Sequence, residues 1–218
     1  MKIRISITSS YDLTAIGNVR TGARWMIERA VAARGAGLDS LFVGDHHVTG
    51  SPYYQNTPML GRLLAEWGDA DVGALYLLPL WQPVLLAEQI ATLASIAEGR
   101  FIMQCGLGRG DDQFSALGQN IRFRPSAFEE SLKCLRQMWR GETVSSQGRF
   151  HFSAATISPI PPEPIDVWIG ANAAVAIERA ARMGDAWLAE PSLTVEQAKT
   201  AFNTYRQTRE RLGLVMPD

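Results

Sequence analysis

Short apolar segments alternate with longer amphipathic segments along most of the chain. The apolar segments predict six strands, at residues 1–8, 38–44, 71–79, 100–106, 165–170 and 185–189. Apolar positions with helical spacing predict helices at residues 21–35, 57–67, 83–97, 126–140, 173–183 and 194–212. Because strands and helices alternate, the pattern predicts a parallel α/β sheet, either doubly wound or closed as a barrel.

Local signals add detail to this pattern. Residues 126–129 and 194–197 have the spacing of capping boxes, which mark the starts of helices. Residues 143–164 predict a short hairpin followed by a proline-rich, extended connector. We interpret this stretch as an insertion within a single domain that comprises residues 1–218.

Composition narrows the class of protein. The 218 residues are 46% hydrophobic and carry a net charge of −1 without a basic run, so nucleic-acid binding is not expected. The longest uncharged stretch, 72–87, contains two prolines and is shorter than the roughly 20 residues of a membrane-spanning helix. Cys105 and Cys134 have neither metal-ligand nor disulfide-framework spacing, and no metal site is expected. The N-terminus does not resemble a signal peptide, so we expect a soluble cytoplasmic protein.

The second predicted strand ends in titratable side chains. Residues 38–44 are followed directly by Asp45, His46 and His47, which include two of the three histidines in the chain. Parallel α/β proteins present their chemistry at the carboxyl ends of strands, so these side chains are candidates for catalysis. The alternative is a polar strand end that carries a histidine pair on the surface.

Further motifs follow in order along the chain. They are Leu77–Ala87, Glu98–Phe101, Gly106–Gly110, Phe114–Gly118, Leu135–Gly141, Val167–Asn172 and Ala180–Leu188. Together with Gly44-Asp45-His46-His47, these segments resemble the bacterial luciferase-like flavin oxidoreductases. Each motif is loose, but the whole set in one order extends over nearly the whole chain and is specific.

The resemblance implies a (β/α)₈ TIM barrel that binds FMN or the deazaflavin F420 at the carboxyl ends of its strands. Only about six βα units are readable in this chain, so we expect a barrel whose C-terminal part is missing. The first and sixth strands would then be open edges. The family resemblance also implies a homodimer.

The resemblance assigns catalysis to the end of the second strand. His46 matches the family's histidine at this position, where an imidazole acts on reduced or oxygenated flavin near neutral pH. A structural hydrogen bond is the alternative for His46. Asp45 is expected to orient His46 or to contact the ring system of the cofactor. His47 is expected to pack against its neighbours or to face solvent.

Two loops are expected to hold the cofactor phosphate. Arg109, in a loop with Gly106 and Gly108, is the first candidate, because a guanidinium can grip a phosphate that the glycine backbone approaches closely. The alternative for Arg109 is a salt bridge to Asp111 or Asp112.

The second candidate loop leads from the fifth strand into a helix. Its residues are Gly170, Ala171, Asn172 and Ala173, and the free amide N–H groups and the dipole of the helix would favour an anion. The alternative is simple helix capping by Asn172. Cys105, at the end of the fourth strand, is interpreted as a small buried residue.

Three functions remain open at this point. The leading hypothesis is a flavin-dependent monooxygenase that uses reduced FMN, supplied by a flavin reductase, and O₂ to oxidise a small organic substrate. The second is an F420-dependent oxidoreductase that transfers hydride, although the sequence has no basic cluster for the acidic tail of F420. The third is a non-catalytic flavin-binding or dimer-partner protein.

Overall fold

The computed structural model describes residues 4–217, and a parallel sheet of six strands lies at its centre. The strands of this sheet are β1 Arg4–Ile7, β2 Ser40–Val43, β3 Asp71–Leu77, β4 Phe101–Gly106, β7 Asp166–Gly170 and β8 Ala186–Leu188. An antiparallel hairpin consists of β5 Val144–Gln147 and β6 His151–Ala155. The helices are α1 Leu13–Ile16, α2 Val19–Gly35, α3 Asn56–Trp67, α4 Pro83–Ile96, α5 Asp111–Ala116, α6 Arg124–Trp139, α7 Ala174–Met183 and α8 Val195–Arg211.

The strand order separates the two sheet topologies that the sequence left open. The order is β1-β2-β3-β4-β7-β8, and every neighbouring pair is parallel. A doubly wound sheet reverses its strand order at a switch point, whereas a (β/α) barrel adds each strand on the same side of the last one. The sheet is therefore a curled part of a (β/α) barrel, with β1 and β8 as its edges within the described residues.

The two faces of the sheet have different roles. Register pairs Phe42 with Gly73 and Gly73 with Ile102, so these residues lie on the concave face. Their neighbours Val72 and Ala74 lie on the opposite face and are fully buried in the core beneath the helices. The predicted parallel sheet is thus confirmed, and its carboxyl ends meet along one edge of the concave face.

Gly73 is a position where the fold requires glycine. A Cβ atom added there would lie 1.9 Å from the carbonyl oxygen of Ile102 and 3.1 Å from the ring of Phe42. The missing side chain therefore lets the Phe42 ring lie across the middle of the concave face. That ring contacts the ring of Trp168 on β7, with the centroids 5.6 Å apart.

Two helices begin two residues earlier than the sequence predicted. Helix α2 begins at Val19 and not at Thr21, because the Asn18 side chain accepts a hydrogen bond from the Thr21 amide. The capping box predicted at Ser126 is wrong, since α6 begins at Arg124 and the Ser126 hydroxyl donates to the carbonyl oxygen of Phe123. The capping box at residues 194–197 is confirmed. The first three residues of the predicted first strand lie outside the described residues.

Candidate functional site

Asp45 lies at the carboxyl end of β2 in a fully buried environment. Its Oδ2 atom accepts hydrogen bonds from the Leu77 amide and from the Trp81 indole Nε1–H, each 2.8 Å long. Its Oδ1 atom lies 3.1 Å from Nε2 of His47, and its side chain is 0% exposed. A buried carboxylate is tolerated only when donors compensate its charge, and the two hydrogen bonds to Oδ2 provide that compensation here.

The structure pairs Asp45 with His47, whereas the sequence suggested His46. Oδ1 of Asp45 and Nε2 of His47 are both buried and lie 3.1 Å apart, and neither atom has a well-aligned hydrogen bond within residues 4–217. The His47 ring meets the Trp81 ring edge-on at 5.5 Å. The expectation that Asp45 orients His46 is therefore wrong, and the expectation that His47 packs against its neighbours is confirmed.

His46 is exposed at the edge where the strands end. Its ring lies 5.8 Å from the ring of Tyr53, and its carbonyl oxygen accepts a hydrogen bond of 3.1 Å from the Gln55 side chain. The loop that contains Tyr53 and Gln55 thus holds the backbone of His46 while the imidazole faces outward. This position leaves the imidazole available to a bound molecule.

Tyrosines around Asp45 remain neutral in this environment. Burial raises the pKa of the Tyr53 phenol, and the negative charge of Asp45 raises it further. Burial likewise raises the pKa of Tyr76, and a hydrogen bond from Thr57 offsets only part of that effect. The end of β2 therefore combines one buried negative charge with neutral aromatic groups and an exposed imidazole.

Cys105 is fully buried on the helix-facing side of β4. Burial raises the pKa of its thiol, so the reactive thiolate is disfavoured. The interpretation of Cys105 as a small buried residue is confirmed.

The loop after β4 presents Arg109 to solvent. Gly108 and Gly110 have φ values of +73° and +88°, in the left-handed region that favours glycine. The carbonyl oxygen of Arg109 accepts a hydrogen bond from the Gln113 side chain, while the Arg109 side chain is 91% exposed. Its Nη1 atom lies 3.9 Å from Oε1 of Glu190, and this contact replaces the salt bridge to Asp111 or Asp112 that the sequence offered as an alternative.

The loop after β7 leaves the start of α7 without a side-chain cap. Gly170 is the last residue of β7, and the buried Ala171 donates its amide to the carbonyl oxygen of Leu188 at 3.4 Å. Ala173 is the N-cap residue and provides no side-chain hydrogen bond, so capping by Asn172 is wrong. The amide of Ala176 already donates to the carbonyl oxygen of Ala173, so the amides of Ala174 and Val175 are the ones that helix geometry leaves available to an acceptor.

Glu190 connects the two candidate loops and was missed by sequence analysis. The Asn172 side-chain amide donates to Oε2 of Glu190, and Arg109 approaches Oε1. Because β4, β7 and β8 are neighbours, their carboxyl ends bring Arg109, Asn172 and Glu190 together. Nothing in the local sequence around Glu190 indicates this contact, which follows from strand order alone.

A basic cleft lies beside the loop after β4. Its volume is about 290 Å³, and its lining includes Arg124, Arg149 and His151. Arg124 donates to the carbonyl oxygen of Gly108 at 3.4 Å, and the Arg149 guanidinium lies 3.8 Å from the centre of the Phe123 ring. The sequence shows no basic run, but folding brings Arg124 of α6 and Arg149 of the β5–β6 hairpin to the same cleft.

The described residues contain neither a metal-binding cluster nor a membrane-spanning helix. Within residues 4–217, His, Cys, Asp and Glu side chains form no group of three that could hold a metal ion. No helix in the described part of the chain has the length and apolar character needed to cross a lipid bilayer.

Comparison with known proteins identifies similar sequences. A family model described as luciferase-like monooxygenase matches residues 3–216. The F420-dependent glucose-6-phosphate dehydrogenase of Nakamurella multipartita is 30% identical over 179 residues, which cover 77% of this chain and 52% of that protein. Seven further relatives bear the same name, with identities of 26% to 30%. The chain spans about half the length of most of these curated relatives.

Solved structures resemble the fold over nearly the whole chain. An F420-dependent secondary alcohol dehydrogenase in complex with an F420-acetone adduct has a TM-score of 0.82 and 18% identity, and the match covers 99% of this chain and 66% of that one. The oxygenating constituent of 3,6-diketocamphane monooxygenase from Pseudomonas putida, in complex with FMN, also has a TM-score of 0.82. Its identity is 20%, and the match covers 100% of this chain and 64% of that one.

Proposed function

Because the chain belongs to the luciferase-like monooxygenase family, we propose that it binds a flavin-type cofactor at the carboxyl ends of its strands and acts as an oxidoreductase. The observation that carries this proposal is the convergence of hydrogen-bond donors on one position. Arg109 and the Asn172 side-chain amide both contact the carboxylate of Glu190, so they mark one position that suits an anion. The uncapped start of α7 follows Asn172 directly in the chain. A cofactor phosphate has the matching charge.

The residues fit such a cofactor in shape as well as in charge. A Cβ added to Gly106 would meet only the Leu77 side chain, at 3.9 Å, and one added to Gly110 would meet nothing within 4 Å. The backbone of this loop is therefore open to a ligand.

We propose F420 as the cofactor and hydride transfer as the reaction. Relatives named F420-dependent glucose-6-phosphate dehydrogenase support this choice, and the basic cleft of Arg124, Arg149 and His151 supports it independently. F420 carries an acidic tail, which a cationic cleft beside the phosphate position would attract. When bound, F420 supplies the hydride chemistry. The exposed imidazole of His46 would hold or accept the proton that accompanies oxidation of the substrate.

A second candidate is an FMN-dependent monooxygenase that acts on a small organic substrate. The likeness to the FMN complex of the 3,6-diketocamphane monooxygenase component favours it, because that fold match covers the entire chain. Arg109 and Asn172 would serve the FMN phosphate in the same way. The two candidates differ at the basic cleft. F420 would place its acidic tail there, whereas FMN has no such tail and would leave the cleft unused.

Equilibrium titration with F420 and with FMN tests the proposal. We expect F420 to bind more tightly than FMN. Arg109→Gln should lower the affinity for both cofactors by about ten- to a hundredfold, because it removes one charge-assisted hydrogen bond to the phosphate. Arg149→Gln should weaken F420 and leave FMN unchanged. Arg20→Gln, at an exposed position of α2, is the control for loss of one positive charge.

Each outcome separates the candidates. Tighter binding of FMN, with substrate oxidation that consumes O₂, would favour the monooxygenase. Binding of a cofactor without turnover in either assay would point to the non-catalytic flavin-binding protein. Failure of both cofactors to bind would contradict the proposed function.

A further inference from the structure

We propose that Glu190 is an internal anion that occupies the anion position of this site and must be displaced when an anionic ligand binds. This inference rests on the proposed function, because it takes the ligand's anionic group to be the cofactor phosphate. Glu190 would then contribute to ligand specificity, because its carboxylate competes with anionic ligands and does not affect the binding of neutral ones.

Strand register places Glu190 opposite the loop after β7. Gly170 on β7 pairs with Leu188 on β8. Asn172 and Glu190 each follow two residues later, so they lie opposite each other just beyond the ends of these neighbouring strands. The Asn172 amide donates to Oε2, and Nη1 of Arg109 lies 3.9 Å from Oε1. Each oxygen of the carboxylate thus faces one of the two side chains proposed to hold a phosphate.

The contacts of the Glu190 side chain are weak enough to exchange. Its side chain is 36% exposed and that of Arg109 is 91% exposed, and solvent-exposed ion pairs contribute little free energy. The carbonyl oxygen of Glu190 accepts a hydrogen bond of 3.3 Å from the Leu193 amide, which holds the backbone in place. Rotation of the side chain alone can therefore free the position.

A phosphate can replace this carboxylate because it has more charge and more acceptor oxygens. Its additional oxygens can bind Arg109 and Asn172 and still accept from a further donor, and the nearest uncapped amides in the chain are those at the start of α7, which follows Asn172. A ligand with a single weak negative charge gains too little to displace Glu190. The carboxylate thereby favours ligands with a phosphate over ligands with a lone carboxylate.

Riboflavin and FMN provide a direct test, because they differ only by the phosphate. In fluorescence titrations of the 218-residue chain, Glu190→Gln should tighten FMN binding by about fivefold, the upper end of what an exposed ion pair contributes. Riboflavin binding should stay the same. Glu178→Gln, on an exposed position of α7, removes the same charge away from the loop and should change neither affinity. If only a deazaflavin binds, the deazaflavin chromophore of F420 and its 5′-phosphate replace the pair, because they likewise differ only by the phosphate.

Arg109→Gln distinguishes failure of this inference from failure of the proposed function. If Arg109→Gln weakens FMN but not riboflavin, while Glu190→Gln leaves FMN unchanged or weakens it, Glu190 is a support for the loop and the inference is overturned. If neither variant separates FMN from riboflavin, the phosphate position itself is wrong, and both proposals are overturned together.

Discussion

Asp45 and His46 are neighbours in the sequence but lie in different environments. The Asp45 side chain turns into the protein towards Leu77 and Trp81, while His46 faces outward beside Tyr53. The sequence marks both as candidates because they follow a buried strand. It cannot identify their partners, since the indole that binds Asp45 lies 36 residues further along the chain.

Asp45→Ala should destabilise the protein strongly. The substitution leaves the Leu77 amide and the Trp81 indole N–H without an acceptor, and a lost hydrogen bond to a charged group contributes about 1.5–3 kcal/mol. Urea unfolding should show a decrease of at least this size. Asp112→Ala, at an exposed position of α5, is the control, and equal effects of the two substitutions would contradict the role of Asp45.

The two histidines should respond differently to substitution by asparagine. His46→Asn should lower turnover and change the free energy of unfolding by no more than about 0.5 kcal/mol, as is usual at exposed positions. His47→Asn removes the contact with Asp45 and should lower the free energy of unfolding by about 1–3 kcal/mol. Turnover and urea unfolding, measured on both variants, check this. Full turnover in His46→Asn would exclude a catalytic role for His46.

Among the secondary-structure elements, the sequence predicts the strands of the sheet and the long helices but misses the short helices. All six strands of the sheet could be predicted. For β2, β3 and β4 the reason is that a continuous apolar segment is buried on both faces of a parallel sheet, whereas the edge strand β1 was indicated by its alternating pattern. Helices α1 and α5 have 4 and 6 residues and were missed, since so short a helix depends on contacts made elsewhere in the fold. The start of α6 was misplaced because Pro125, in its first turn, is itself a start signal and directly precedes Ser126, where the capping box was predicted.

The β5–β6 hairpin is attached to α6 by one carboxylate. Glu130 accepts hydrogen bonds from the Ser146 hydroxyl at 2.5 Å and from the amides of Arg149 and Phe150 at 2.7 Å and 3.0 Å. Gly148 permits this approach, because an added Cβ would lie 2.3 Å from Oε2 of Glu130. This attachment also positions Arg149 at the basic cleft.

The stabilisation by Glu130 should depend on pH. Burial alone would raise the pKa of this carboxyl, but the three hydrogen bonds outweigh burial and lower the pKa below its ordinary value. Because the pKa of Glu130 is lower in the folded state, its ionised carboxylate stabilises the fold at a pH above the unfolded-state pKa of about 4.3. This stabilisation is lost as the pH falls through the folded-state pKa. In urea unfolding, Glu130→Gln should therefore be less stable than the wild type by about 1 kcal/mol at pH 7.

The difference between Glu130→Gln and the wild type should shrink as the pH falls below about 4. Gly148→Ala should reproduce the loss at pH 7, because the methyl group displaces the carboxylate. Glu178→Gln is the control and should show no such pH dependence. If the difference in free energy of unfolding between Glu130→Gln and the wild type stays constant as the pH falls below about 4, this explanation is contradicted.

At the scale of the whole molecule, strand order creates the site. Arg109, Asn172 and Glu190 lie in loops after β4, β7 and β8, which are neighbours in the sheet. The sequence could indicate the first two, because each follows a strand in a glycine-containing loop. It could not indicate Glu190 or the cleft of Arg124 and Arg149, whose members are close only after the chain has folded. The homodimer stays a prediction.

Hydrogen exchange with and without bound cofactor shows directly whether the cofactor binds at the carboxyl ends of the strands. We expect F420 or FMN to slow amide exchange in peptides that contain residues 44–47, 106–110 and 171–175. Exchange at the opposite ends, around Asp71 and Asp166, should not change. Protection confined to those opposite ends, or no protection at a saturating cofactor concentration, would show that the cofactor does not bind at this edge of the sheet.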